Sequence, residues 1–149
     1  MECTCTGITD KEYDGAVVIP SHWNDVPLTL IGHEAFMNCK LSSIHLPASV
    51  RVIDYYAFLG CPNLSTVTFD EGSQLRTVRS SAFSGCNGFL MKIIIPASVT
   101  KSDSFPIHGC DDLLFVTYLG TKEAWLNMGI YIYFPVHCID GVVTPNSKA

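Results

Sequence analysis

A short motif, Ala-Phe-x-x-Cys, recurs along the chain at nearly equal intervals. It occurs at residues 35–39, 57–61 and 82–86, and a variant at residues 106–110 keeps the cysteine but has Ile107 in place of phenylalanine. The cysteines at positions 39, 61, 86 and 110 are therefore separated by 22, 25 and 24 residues. Self-similarity with a period of about 20–50 residues indicates stacked repeats, because one such unit cannot bury its apolar edge alone.

Two further apolar patterns keep step with this motif, and the unit from Leu41 to Leu64 shows both. Ile44 and Leu46 share one face of an extended segment, because strand side chains alternate, and Pro47 ends it for lack of an N–H. Equivalent strand pairs are Val17/Ile19, Val67/Phe69, Ile93/Ile95 and Val116/Tyr118, and a second apolar pair recurs as Leu28/Ile31, Val50/Ile53, Leu75/Val78 and, weakened, Val99/Ser102. The patterns predict a right-handed parallel β-solenoid of about five coils, with one short strand per coil.

These residues carry a family resemblance. The pattern L-x-x-I-x-I-P-x-x-V-x-x-I-x-x-x-A-F-x-x-C resembles the BspA-type leucine-rich repeat, over roughly residues 15–143. Copy four departs from it at Ser102, Pro106 and Ile107. The resemblance implies an α/β leucine-rich repeat fold with few short helices, and an extracellular or cell-surface location, because such proteins occur mostly on bacterial surfaces.

The predicted domain organisation is a single solenoid domain over residues 15–143, with repeats over 15–120 and a C-terminal cap over 121–143. Residues 1–14 are polar and without a clear period, and residues 144–149 are expected to form a tail. Trp23, in the loop after the first strand, is interpreted as a lid over the N-terminal edge of the core.

The cap is predicted from a change of pattern after the last repeat strand. Thr121 is a suitable N-cap for a short helix, Glu123 suits the first turn, and Gly129 suits the end. Residues 131–139 predict one or two short strands broken by Pro135, and the residues from Gly141 onward suggest a frayed end or a linker. Solenoids need atypical end units that shield the last coil.

Composition excludes several classes of function. The net charge is -5, and the nine Lys and Arg residues are scattered, which argues against nucleic-acid binding. No apolar run approaches the ~20 residues of a membrane span. The first fifteen residues lack the basic and apolar segments of a signal peptide.

The seven cysteines are an odd number, so at least one is expected to be unpaired within the chain. Those of the repeat are predicted to be buried, reduced thiols that fill space beside phenylalanine and bond a backbone carbonyl. A disulfide between coils ~4.8 Å apart stays possible by distance. Cys3-x-Cys5 is compatible with a metal site that includes a histidine, but we favour the interpretation that it belongs to an irregular terminus.

We expect no catalytic site, cofactor or metal. Ser, His and Asp occur at no recognised catalytic spacing, and the histidines occupy different coil positions. The pair Asp70-Glu71 is interpreted as a solvated bulge rather than an acid/base pair, because coil three has two extra residues there.

Two functions remain open from sequence. One is a non-enzymatic module that binds a protein or glycan on a host or neighbouring cell surface, as adhesins of the resembling family do; the other is a structural spacer or intramolecular interaction segment of a larger protein, with no ligand of its own. Because strand side chains alternate, a mixture of polar and apolar side chains points away from the core, and this mixture favours the binding function. These residues are Val18, Ser43, His45, Thr66, Thr68, Lys92, Ile94, Phe115 and Thr117. The predicted partner-binding residues are His45, Thr68, Ile94, Phe115 and Thr117.

Overall fold

The computed structural model describes residues 1–86, 92–103 and 107–145, and of residue 92 it describes the backbone only. Its short strands stack into parallel ladders, as the repeat predicts, and it contains very little helix. In chain order the elements are β1 (Cys3–Cys5), β2 (Ala16–Val18), β3 (His22–Trp23), β4 (Val26–Ile31), β5 (Ser43–Leu46), β6 (Val52–Ile53), β7 (Thr66–Phe69), β8 (Thr77–Val78), β9 (Lys92–Ile95), β10 (Lys101–Ser102), β11 (Phe115–Tyr118), α1 (Lys122–Asn127), β12 (Val136–Cys138) and β13 (Gly141–Val143).

The predicted repeat strands β2, β5, β7, β9 and β11 form the front of the solenoid, and β12 of the C-terminal cap extends it; we call these six strands the front sheet. Strands β2, β5 and β7 pair in parallel, with Val17 opposite Ile44 and Ile44 opposite Val67. Strands β9, β11 and β12 do the same, with Val116 between Ile93 and Val136. The register predicted from the apolar pairs is thus confirmed, because burying the same face in every coil allows only one register.

The front sheet is not continuous. Strands β7 and β9 are neighbours, but they belong to separate hydrogen-bonded sheets. The two extra residues of coil three lie in this region, since six residues separate Phe69 from Leu75 where four separate Leu46 from Val50.

A second ladder runs along another side of the solenoid, and it corrects the expectation of one strand per coil. Strands β1, β4, β6, β8 and β10 pair in parallel in that order. The second apolar pair of each repeat lies on or beside this ladder, where Ile31, Ile53 and Val78 are buried partners in register. Ser102 keeps this register in copy four.

The N-terminal segment takes part in the fold. Cys3–Cys5 extends the second ladder by pairing with Leu28–Ile31. The prediction of an irregular terminus is therefore wrong for these residues. The interpretation of Trp23 as a lid is wrong. It lies on the β3–β4 hairpin, whose turn is made by Asn24 and Asp25 at positive φ, and 66% of its surface is exposed.

The Ala-Phe-x-x-Cys motif forms a tight corner between the two ladders. Phe36, Phe58 and Phe83 are buried and stack with nearly parallel rings, at centroid distances of 5.2 and 5.1 Å. The recurring phenylalanine of the motif therefore forms one buried column. Each corner needs left-handed backbone just before its cysteine, which asparagine or glycine supplies at Asn38, Gly60, Gly85 and Gly109.

The C-terminal segment covers the last coil much as the sequence predicts. Thr121 caps α1 by accepting a hydrogen bond from the Ala124 N–H at 3.1 Å, and Gly129, at positive φ, follows the helix. Trp125 is buried against the ring of Tyr118, with the ring centroids 5.3 Å apart. Residues 141–143 are not frayed, because β13 pairs antiparallel with β12 and buries Val143, and residues 146–149 of the predicted tail lie outside the described residues.

Candidate functional site

The outward side chains of the front sheet form two groups, which we call the front face. In the first group, Val18, His45 and Thr68 are register partners across β2, β5 and β7. In the second, Ile94, Thr117 and His137 are register partners across β9, β11 and β12. The alternating burial of β5 and β11 puts these residues outward because their neighbours Ile44 and Val116 are buried.

His45 joins two coils through both of its ring nitrogens. Nε2 donates to Oδ1 of Asp70 at 2.7 Å, and Nδ1 lies 2.8 Å from Oγ1 of Thr68. Asp70 also accepts from the backbone N–H of Ala48 at 3.3 Å. These hydrogen bonds hold the pKa of Asp70 below its usual 3.8, with the one from His45 as the largest cause.

The series Thr68–His45–Asp70 places a hydroxyl, an imidazole and a carboxylate in line. Asp70 and Thr68 are exposed, and the His45 side chain retains 36% of its surface. Water therefore reaches both the carboxylate and the hydroxyl. The arrangement ties coil two to coil three and fixes the position of Asp70.

The second group is more apolar. The Phe115 ring stacks on the His137 imidazole at a centroid distance of 4.7 Å and an interplanar angle of 22°. Ile94 and Thr117 lie beside each other in register, and both are half-buried. An aromatic stack and an aliphatic side chain thus share this part of the front face. Such a surface can contact an apolar or aromatic group of a partner.

A cavity of about 450 Å³ separates the two groups at the break between β7 and β9. Thr68 lies on one side of it and Ile94 on the other. The remaining lining comes from Val67, Phe69, the bulge 70–73, residues 96–98 and Leu119. The structure therefore brings Thr68 and Ile94 to one opening, although no hydrogen-bonded ladder joins their strands.

The repeat cysteines form hydrogen bonds at the corners of the solenoid. Cys61, Cys86 and Cys110 donate to the carbonyl oxygens of Phe36, Phe58 and Phe83, at 3.0, 3.3 and 3.1 Å. All seven thiols are free. Burial raises the pKa of Cys39; interaction with the thiols of Cys110 and Cys61, together with burial, raises that of Cys86. Within the described part of the chain, no three His, Cys, Asp or Glu side chains group as metal ligands.

Two contacts of this site are additional to those that the repeat pattern predicts. Asp70 is solvent-exposed, as predicted for a bulge residue, and it also occupies the register position after Phe69, where it lies beside His45 of the preceding coil. Alignment of coils two and three places Asp70 directly after the strand residue Phe69, so the sequence does contain a signal for its contact with His45. The position of His137 on the front face is not predicted, because β12 lacks the repeat motif. The sequence feature that indicates it is Val136, which is buried in register with Val116 and so points the next residue outward.

Comparisons with known proteins agree with this architecture. The model of the family described as BspA type leucine rich repeat region (6 copies) matches residues 28–123. A leucine-rich repeat protein from Bacteroides capillosus is similar in structure, with 29% sequence identity and a TM-score of 0.68 over 80% of this chain and 88% of that one. A leucine-rich repeat protein of T. pallidum has 29% identity and a TM-score of 0.57 over 76% of this chain and 62% of its own.

A leucine rich cell surface protein from Faecalibacterium prausnitzii shares the fold alone, with 19% identity and a TM-score of 0.53 over 92% of this chain and 46% of that one. No curated protein matches the sequence significantly. Across residues 1–86, 92–103 and 107–145, no helix has the length and apolar character needed to cross a bilayer.

Proposed function

Because the chain belongs to the BspA-type leucine-rich repeat family, we propose that it is a non-enzymatic binding module of a cell-surface or secreted repeat protein, and that it adheres to a protein or glycan on a host or neighbouring cell. The front face is the proposed binding surface, with His45, Thr68, Ile94, Phe115 and Thr117 as contact residues.

The observation that carries this proposal is the apolar second group of the front face. Phe115 stacked on His137, with Ile94 in the adjacent coil, presents aromatic and aliphatic surface between polar neighbours. Aromatic residues are enriched at protein interfaces, and fully desolvated aromatic anchors supply much of their binding energy. A spacer without a ligand has no need for such a surface.

The size of the surface predicts weak binding by a single domain. Six strands at ~4.8 Å and about four residues each at ~3.3 Å give a patch of roughly 29 by 13 Å, or about 380 Å². A standard specific interface needs about 800 Å² per partner. Affinity therefore depends on the flanking loops or on many copies displayed together.

The test is a multivalent display of the domain, screened against extracellular-matrix proteins and glycans. The variant with Ile94→Asp and Phe115→Asp should fold normally, because both side chains are partly exposed, and should lose capture. A matched control places the same two charges at exposed positions away from the strands of the front sheet, as Gln74→Asp with Thr100→Asp, and should capture normally. If the display captures nothing, or if both variants capture equally, the spacer function is favoured instead.

A further inference from the structure

The cavity between coils three and four combines apolar walls with an acidic lip. Val67, Phe69, Ile94 and Leu119 supply the walls, and Asp70 and Glu71 lie on the bulge that borders the cavity. Its volume of about 450 Å³ is within the range of about 300–1,000 Å³ typical of small-molecule sites. The space is therefore sufficient for one long side chain of a partner.

The polar groups at this cavity are suited to a ligand that donates hydrogen bonds. Asp70 is held in place by His45 and the Ala48 N–H. The Glu71 carboxylate, in contrast, makes no hydrogen bond or ion pair with any residue that the structure describes. Ser98 also lines the cavity, and its Oγ is shielded from solvent without a partner among those residues. Carboxylates accept hydrogen bonds but cannot donate them, and a hydroxyl can also accept.

Charge and shape together select the ligand. No Lys or Arg is among the described lining residues, and the chain carries a net charge of -5. A cation is therefore attracted to the lip, and an apolar stem is required by the walls. Guanidinium fits better than ammonium, because it is more weakly hydrated, binds carboxylates with two parallel hydrogen bonds and stacks on aromatic faces such as that of Phe69.

We propose that this cavity binds an arginine side chain of the protein partner, with the guanidinium at Glu71 and Asp70 and the methylene stem against Ile94 and Leu119. The proposal rests on the binding function of the front face and specifies the chemistry that its partner must present. The cavity lies between the two groups of the front face, so a partner lying across both passes over its opening.

The test uses short peptides in place of the unidentified partner. A capped glycine–arginine–glycine peptide is titrated into the methyl-labelled domain, and the methyl resonances of Ile94, Leu119 and Val67 are followed by NMR. We expect saturable shifts at millimolar concentrations, confined to the cavity. The citrulline peptide has nearly the same shape without the charge, and it should bind about tenfold more weakly, as expected for loss of hydrogen bonds to charged groups.

Variants locate the site and separate it from the front face. Glu71→Gln should weaken the arginine titration about tenfold, because it removes the charge without changing the size of the side chain. Phe115→Asp, on the front face but outside the cavity, should leave the titration unchanged. Equal binding of arginine and citrulline, or the absence of shifts at the cavity methyls, overturns the proposal. A capped glycine–lysine–glycine peptide tests the choice of guanidinium, which is overturned if that peptide binds as tightly as the arginine peptide.

The titration does not depend on capture of any protein by the displayed domain, so the two proposals can fail separately. If a front-face partner is captured and Glu71→Gln leaves that capture intact, the cavity proposal fails while the binding function stands. If the arginine peptide binds but Ile94→Asp with Phe115→Asp does not reduce capture, the front face is excluded as the contact surface.

Discussion

The Cys61 thiol donates a hydrogen bond of 3.0 Å to the carbonyl oxygen of Phe36, one coil earlier in the stack. Cys86 and Cys110 repeat this bond to Phe58 and Phe83. The phenylalanine and the cysteine of the motif therefore act across coils. The rings stack in one column, and each thiol provides a partner for a corner carbonyl of the preceding coil.

The phenylalanine column should dominate the stability of the stack. Phe58 is fully buried between Phe36 and Phe83, so Phe58→Ala is expected to lower the free energy of unfolding by about 3–5 kcal/mol. Phe58→Leu, which keeps more of the volume, should cost less. Chemical denaturation of both variants measures this. An alanine variant as stable as the parent contradicts the column as a source of stability.

The repeat thiols should be reduced and slow to react in the folded protein. Cys61 and Cys86 are buried and donate to backbone carbonyls, so reagents reach them poorly. The raised pKa of Cys86 also leaves little thiolate there, whereas the hydrogen bond with Cys86 lowers the pKa of Cys61, whose protection therefore depends on burial. Thiol titration in native buffer should label them far more slowly than in denaturant. Partly buried Cys110 serves as the comparison and should react sooner. A mass decrease from disulfide formation, or rapid native labelling of Cys86, contradicts this prediction.

The C-terminal cap should be required for solubility. A chain ending at residue 120 loses Trp125 and Val136, which cover Tyr118 and Val116, and we expect it to aggregate because an apolar coil edge is exposed. Thr121→Ala is the matched control. It removes only the helix cap, should cost about 1 kcal/mol and should remain soluble. Size-exclusion chromatography distinguishes the outcomes, and a monomeric, equally stable truncation shows that the cap is dispensable.

The Asp70–His45 pair should make stability depend on pH in the acid range. The pKa of Asp70 is lower in the folded protein than its usual 3.8, so its contribution is present above that value and is lost as pH falls through the folded value. Asp70→Asn should lower the urea midpoint at neutral pH and flatten its decline between pH ~5 and ~2. Glu71→Gln, one residue away, removes a carboxylate outside the pair and should keep the decline. If the urea midpoint of the Asp70→Asn variant declines with falling pH as steeply as that of the wild type, the Asp70–His45 pair is not the cause of the decline.

Much of the core was predictable from sequence because burial follows the period of the repeat. Alternation identifies Ile44, Val67 and Val116 as inward residues, and the equal spacing of Phe36, Phe58 and Phe83 requires them to lie above one another. The orientation of Thr68 and Ile94 follows from the same alternation. The sequence also determined the cap helix at Thr121, since N-cap chemistry is local.

Only the tertiary structure decided how neighbouring coils meet at their surface. Lateral offset and loop length set those contacts, and no period encodes them. The two extra residues of coil three accompany the break between β7 and β9 and border the cavity. Asp70 reaches His45, and His137 reaches Phe115, because separate coils bring together side chains that are distant in sequence. The sequence therefore determined which residues face inward, whereas the packing of one coil on the next determined which outward residues form a site.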